Sequence, residues 1–237
     1  MADLCYFSSM QQALLINPGH LDYAKSLDLM QKLAQLKVRR SFPQVLFLVE
    51  HEPVITLGYR AGDQEILIPE KELQSKGIKV FKIERGGLAT YHGPGQLVGY
   101  PIFDLREANL GLPKFVRLLE EVIISSLTDF GLDSERKPGF PGVWVNNKKI
   151  ASIGLSARRW ITSHGLAINY APDLSHFDCI NPCGLGEGTM TSIARLLNTV
   201  VDHHRLRKRV IWEFERLFDL ELEPWPLKEA EETVLKQ

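Results

Sequence analysis

The chain has 237 residues, is 44% hydrophobic and carries a formal net charge of −1. It is long enough to bury a substantial core, and too evenly charged to argue for a nucleic-acid partner over its whole surface. Near the N-terminus the apolar run Ala13-Leu14-Leu15-Ile16 lacks the basic flank and length of a signal sequence, and no later stretch is apolar for long enough to span a bilayer, so a soluble, cytoplasmic protein that uses no membrane is expected.

Residues 1 to 19 show no clear periodicity and read as an irregular lead-in or an early strand. From Leu21 to Arg40 the spacing of Leu29, Leu33 and Leu36 predicts a helix, with Lys37, Arg39 and Arg40 at its C-terminal end where cations suit the helix dipole. Gln44 to Val49 is a continuous apolar run suited to a buried strand, and Val54 to Gly58 reads as its neighbour across His51-Glu52-Pro53. Pro69 opens a short helix over Glu70 to Ser75, which Gly77 closes, and Ile78 to Ile83 alternates as a strand.

The next segment is rich in glycine. Between Arg85 and Tyr100 the chain carries Gly86, Gly87, Gly93, Gly95 and Gly99 among an Arg, two Tyr, a His and a Gln, and it leaves through a strand from Leu97 to Leu105. Such a loop lets the backbone approach a ligand closely. Local pattern equally allows two tight turns, Gly86-Gly87 and Gly93-Pro94-Gly95, joining three antiparallel strands. No phosphate-binding signature fits: Gly93 and Gly95 with Gly99 miss the dinucleotide spacing by one, and no Gly-Lys-Ser/Thr follows.

Lys114 to Phe130 is the strongest helix, with Phe115, Leu118, Leu119, Val122 and Ile123 on one face and Gly131 as its stop. Gly142 to Val145, Asn146-Asn147-Lys148 and Lys149 to Ser156 read as a hairpin whose paired Asn tolerates positive φ, followed by a strand from Ile161 to Tyr170. These strands form a mainly antiparallel sheet. Asp173 to Gly188 is irregular, helices follow over Thr191 to Leu197 and Leu206 to Phe218, and charged, Pro-containing sequence ends the chain. The composition shifts near Gly188, dividing the chain into a unit over 1–189 and a purely helical extension over 190–237 packed on it.

Three cysteines, Cys5, Cys179 and Cys183, make an odd number that argues against a disulfide framework. Cys183 sits in Asn181-Pro182-Cys183-Gly184, a turn in which a thiol can be partly exposed and backbone amides can donate to a thiolate or a developing oxyanion. Cys179 and Cys183 match no common zinc spacing, and His164 and His176 supply no second half, so no metal is expected. A nucleophilic thiol needs a base or cation beside it. Lys148 and Lys149 are candidates by position, and strand parity alone does not choose between them. His92 and His164 fit either a general base or a core imidazole bonded to backbone.

Arg85-Gly86-Gly87 through Thr90-Tyr91-His92-Gly93-Pro94-Gly95-Gln96, Lys149-Ile150-Ala151-Ser152-Ile153-Gly154, His164-Gly165-Leu166-Ala167-Ile168-Asn169 and Ile180-Asn181-Pro182-Cys183-Gly184 together resemble the lipoyl(octanoyl) transferases, the octanoyl-acyl-carrier-protein:protein octanoyltransferases of lipoate biosynthesis. The four motifs cover about Leu46 to Leu197. The resemblance implies an α/β (α+β) fold similar to biotin and lipoate protein ligases, with a mixed, mainly antiparallel sheet flanked by helices and the acyl chain in a tunnel beside the glycine-rich segment. By motif position it makes Cys183 the acyl-accepting nucleophile and Lys149 its partner. Arg85, Gly86, Gly87, Leu88, Ala89, Thr90, Tyr91 and His92, Ser152, Ile153 and Gly154, and Gly165, Leu166 and Ala167 would line the substrate site. It implies no cofactor, octanoyl-acyl carrier protein as donor, and lipoyl domains of 2-oxoacid dehydrogenase complexes and the glycine cleavage H protein as acceptors, served by a monomer. Basic clusters at Lys37 to Arg40, Arg158-Arg159 and His203 to Arg209 would meet such acidic partners. The rivals are an ATP-dependent ligase or a lipoyl-domain amidotransferase on the same fold, and a non-catalytic acyl-carrier binding module.

Overall fold

A computed structural model describes residues 10–39, 41–181 and 188–236; Cys5 and Cys183 lie outside the described residues. In chain order the elements are β1 (Gln11–His20), α1 (Tyr23–Arg39), β2 (Gln44–Glu50), β3 (Val54–Leu57), α2 (Glu70–Ser75), β4 (Lys79–Lys82), β5 (Ala89–His92), β6 (Gln96–Ile102) and α3 (Leu112–Thr128). There follow β7 (Glu135–Lys137), β8 (Phe140–Val145), β9 (Lys148–Arg158), β10 (Ile161–Asn169), α4 (Ile193–Leu197), α5 (His203–Phe218), β11 (Leu220–Pro224) and α6 (Leu227–Leu235). The described strands form an eight-stranded sheet in the order β11-β1-β2-β6-β10-β9-β8-β7 and a small one in the order β4-β3-β5. In the large sheet β1 runs parallel to β11 and β2 and every other pair is antiparallel, which is the mixed, mainly antiparallel sheet expected.

The continuous apolar run of β2 follows from burial on both faces. Its alternate residues serve opposite cores. Leu46 and Leu48 join Phe115, Leu119 and Val122 of α3 and Leu206, Val210 and Phe214 of α5. Val45, Phe47 and Val49 join Leu29, Met30 and Leu33 of α1 and Ala230 of α6 on the other side. Asp22 caps α1 by accepting from the amides of Ala24 and Lys25. The paired Asn turn between β8 and β9 is formed as expected, with φ of 49° at Asn146 and 63° at Asn147.

Three expectations are corrected. β3 is not the neighbour of β2: it lies in the small sheet between β4 and β5, whereas β2 pairs with β1 and β6. Gly93-Pro94-Gly95 is not a hairpin turn within one sheet; it carries the chain from β5 of the small sheet to β6 of the large one. The sequence after Gly188 is not purely helical, because Leu220–Pro224 adds a parallel edge strand against β1. Its alternation is clear in the burial, with Leu220 and Leu222 inside and Glu221 and Glu223 outside.

Candidate active site

On the α1 side of the large sheet, where the small sheet and the segment leading into β5 fold against it, lies a small, partly open cavity of about 40 Å³. Its floor is Val98 and Tyr100 of β6, Ser152, Ile153 and Gly154 of β9, and Gly165, Leu166 and Ala167 of β10. Tyr23 at the start of α1 and Ile83, Arg85, Thr90 and His92 form the opposite wall, and His164 stands at one end. The register opposes Gly154 to Gly165 and Ser152 to Ala167, so the centre of the floor has almost no side chains and the strands leave a trough.

A single guanidinium supplies the strong charge. Arg85 is 6% exposed, and its Nε donates to Thr56 Oγ1 at 3.1 Å, its Nη2 to Thr56 O at 2.6 Å and its Nη1 to Gly86 O at 2.9 Å. Around it the imidazoles are neutral at physiological pH. Burial pushes His51 down to about 4, and burial, with the neighbouring His51 ring and the Arg85 charge disfavouring a second proton, takes His92 to about 3. His164, buried and facing Arg85, is lowered to about 4. His51 Nδ1 lies 2.9 Å from Leu21 O, which can only accept, so Nδ1 carries the proton and Nε2 accepts from the Tyr100 hydroxyl at 2.8 Å. Gln96 donates through Nε2 to Tyr91 O and so turns Oε1 to His92 Nδ1 at 3.1 Å. A trough with one buried guanidinium and otherwise neutral hydrogen-bonding walls suits an uncharged chain with a polar head.

Lys149 stands on β9, three residues before the trough. It is 5% exposed, its amide donates to Thr189 O at 2.8 Å, its carbonyl accepts from Thr191 N at 2.9 Å, and its Nζ lies 5.6 Å from the centre of the Trp144 ring. Lys148, beside it at the start of β9, is half-buried. The sequence flanking Asn-Pro-Cys-Gly is fixed on both sides: Asn181 N donates to Glu65 O, and Asn169 Nδ2 donates to Thr191 O at 3.0 Å. Cys179 is buried in the core of the small sheet, where desolvation raises its thiol above the usual value; it is a packing residue.

The residues picked out from sequence divide. Arg85, Thr90, His92, Ser152, Ile153, Gly154, Gly165, Leu166 and Ala167 line the cavity. Gly86, Gly87 and Leu88 form the turn behind Arg85, with Gly86 N bonded to Leu155 O and Leu88 O accepting from Gly58 N. Ala89 and Tyr91 point to the opposite face of β5, into the core with Phe177, and the Tyr91 hydroxyl pairs with His176 Nδ1 at 2.8 Å. Sequence reasoning missed Tyr23, Ile83, Val98 and Tyr100, and the supporting His51 and Thr56. Period-2 spacing from Gln96 through Val98 to Tyr100 was the available signal. Arg158 and Arg159 are exposed at the β9–β10 turn.

The C-terminal helices brace this site. Glu50, at the end of β2, accepts from Gly95 N at 3.2 Å and from the Tyr170 hydroxyl at 2.7 Å. Arg207 of α5 reaches Glu50 at 3.4 Å and also donates to Asn17. The turn that delivers β6 to the cavity is thereby tied to α5.

Arg-Gly-Gly and a buried strand lysine thus flank one trough, in a chain with clear relatives among known proteins. The lipoyl protein ligase A/B catalytic domain model matches residues 22–215. An octanoyltransferase of Desulforamulus reducens is 40% identical over 206 residues, covering 86% of this chain and 90% of its own. One of Syntrophobacter fumaroxidans is 40% identical over 222 residues, covering 94% and 97%. In fold the chain is similar to a crystal structure of lipoate-protein ligase A bound with ATP (TM-score 0.75, 16% identity, 95% and 93% covered). It is also similar to a bi-partite lipoate protein ligase from Thermoplasma acidophilum (TM-score 0.73, 17% identity, 96% and 91% covered). The chain belongs to the lipoyl protein ligase A/B catalytic-domain family.

Proposed function

We propose that the protein is an octanoyltransferase of protein lipoylation, which moves an octanoyl group from the phosphopantetheine thioester of acyl carrier protein to the lysine of a lipoyl domain through an acyl-thioester on Cys183. The observation that carries the reading is the trough on β9 with buried Lys149 on the same strand. The octanoyltransferase relatives support it over nearly the whole chain.

In the first half-reaction Lys149 takes the proton of the Cys183 thiol, and the thiolate attacks the donor thioester carbonyl. A carbon–sulfur bond forms to Cys183, the bond to the carrier's sulfur breaks, and the departing thiolate takes the proton from Lys149. In the second, the acceptor lysine amine attacks, the amide bond forms, the bond to Cys183 breaks, and the amine's proton passes through Lys149 to the Cys183 sulfur. The activation of the thioester is kept throughout, so no ATP is consumed. The acceptors are the lipoyl domains of 2-oxoacid dehydrogenase complexes and the glycine cleavage H protein, and the enzyme acts as a monomer in the cytoplasm.

The test is transfer from octanoyl-acyl carrier protein to a purified lipoyl domain without ATP, followed by the mass of the domain. A gain of one octanoyl group is expected. Modification only with ATP and free octanoate would establish the ligase chemistry instead.

A further inference from the structure

The reacting end of the site, in the reading above, is the Lys149 end of β9. Moving along β9 from Lys149, the cavity is met at Ser152 to Gly154, and beyond it the same strand lines a second, larger and more open groove of about 520 Å³ through Ser156 and Arg158. The groove runs between β9–β10 and α1, where Met30, Ala34 and Val38 give it an apolar wall; Arg39, Arg158 and Arg159 stand exposed on its rim. Lys149 and Leu155, the strand partner of His164, are six residues apart, about 20 Å at the rise of a strand, and the Lys149 side chain takes up part of that length, its Cε lying beside Gly142, the strand partner of Ser152; about three residues, or roughly 10 Å, remain from there to His164.

Among the described residues, His164 is the one that lines both spaces. It is 6% exposed, its ring stands edge-on to Tyr100 at 6.5 Å, and its amide approaches Met30 Sδ at 3.1 Å. Its backbone is left-handed, with φ of 58°, an uncommon conformation for a residue with a Cβ. The strand thus departs from extended geometry at the boundary between cavity and groove.

We propose that His164 is the end-stop of the acyl cavity and sets the length of the chain transferred. The proposal rests on the octanoyltransferase reading, which directs the acyl methyl end along β9 toward His164. Chains of about eight carbons end against the imidazole; longer ones need the space beyond it. With the imidazole removed, cavity and groove become one passage, and the methyl end of a longer chain follows its apolar wall between Ile161 and the Met30 side of α1.

The experiment compares octanoyl, decanoyl, dodecanoyl and tetradecanoyl carrier protein as donors for wild type and His164→Gly, reading kcat/KM for each. Glycine suits the left-handed backbone, and His164→Asn, which also tolerates it, provides a second variant with an intermediate side chain. The ratio of dodecanoyl to octanoyl transfer is expected to rise at least about tenfold in His164→Gly and less in His164→Asn, in line with what individual methylenes contribute in an apolar pocket. A uniform loss or gain at every chain length in both variants would overturn the end-stop and make His164 a general positioning residue. Failure of the wild type to transfer any acyl group would instead overturn the octanoyltransferase reading, and the end-stop with it.

Discussion

Acidification strikes this fold at the three neutral imidazoles around the cavity. His51, His92 and His164 have an ordinary value of 6.5 and are lowered by burial to about 4, 3 and 4. Below pH 6.5 the unfolded chain binds protons there that the folded chain refuses, so their stabilising contribution is full above 6.5 and is lost as pH falls toward 4. Each costs about 1.4 kcal/mol per pH unit once the unfolded imidazole is fully protonated, and the three together remove about 6 kcal/mol between pH 6.5, where it is half protonated, and 4.5. That is comparable with the whole stability of a domain. Asp22, Asp104 and Asp173, lowered by hydrogen bonds from the Lys25 amide, the Arg106 side chain and the Ser175 hydroxyl, hold their contribution above 3.8 and lose it below, in a separate window. Urea midpoints measured from pH 7.5 to 4.5 should therefore stay flat above pH 7 and fall steeply below 6.5. His51→Gln keeps a donor for Leu21 O and an acceptor for the Tyr100 hydroxyl without titrating, and should reduce the slope by about 1.4 kcal/mol per pH unit. A midpoint unchanged between pH 6.5 and 5 would refute the argument that these imidazoles are buried neutral.

Two glycines make sharper demands. At Gly142, φ is 127° and a Cβ would lie 2.3 Å from Ala151 O and 2.7 Å from Lys149 Cε; Gly142→Ala should shift the Lys149 side chain and reduce kcat at least about tenfold while donor KM changes little. At Gly165 a Cβ would lie 2.1 Å from Gly99 O and 2.6 Å from Pro101 Cδ. Gly165→Ala should force β6 and β10 apart beneath the cavity, lower stability by about 1–3 kcal/mol in denaturant unfolding and raise donor KM; a variant with wild-type stability would show that the strands yield freely.

The sequence makes some elements plain because one physical signal decides them. Leu29, Leu33 and Leu36 set the face of α1, and Asn146-Asn147 sets the turn between β8 and β9. The assignment of β3 to a second sheet is invisible because an apolar run records burial and not the identity of its partner. β11 is hidden for a different reason: its Glu221, Glu223 and Pro224 read as surface, and it is held as an edge strand by one neighbour, β1. Within the site, the motif Thr90-Tyr91-His92 reads as a continuous lining, yet strand alternation turns Thr90 and His92 to the cavity and Tyr91 away from it. Tyr23 and Tyr100 are brought to the same cavity from elements far apart in the chain, which no local spacing encodes. His51, in what reads as a plain connection, fixes the Tyr100 hydroxyl.

The central claim is the covalent octanoyl group on Cys183, and intact-protein mass spectrometry after mixing with octanoyl-acyl carrier protein, without ATP, tests it most directly. Wild type should gain one octanoyl group that hydroxylamine removes, Cys183→Ser should gain no hydroxylamine-labile group, and Lys149→Ala should acylate far more slowly. A wild-type chain that carries no adduct yet modifies a lipoyl domain once ATP and free octanoate are supplied would contradict the account.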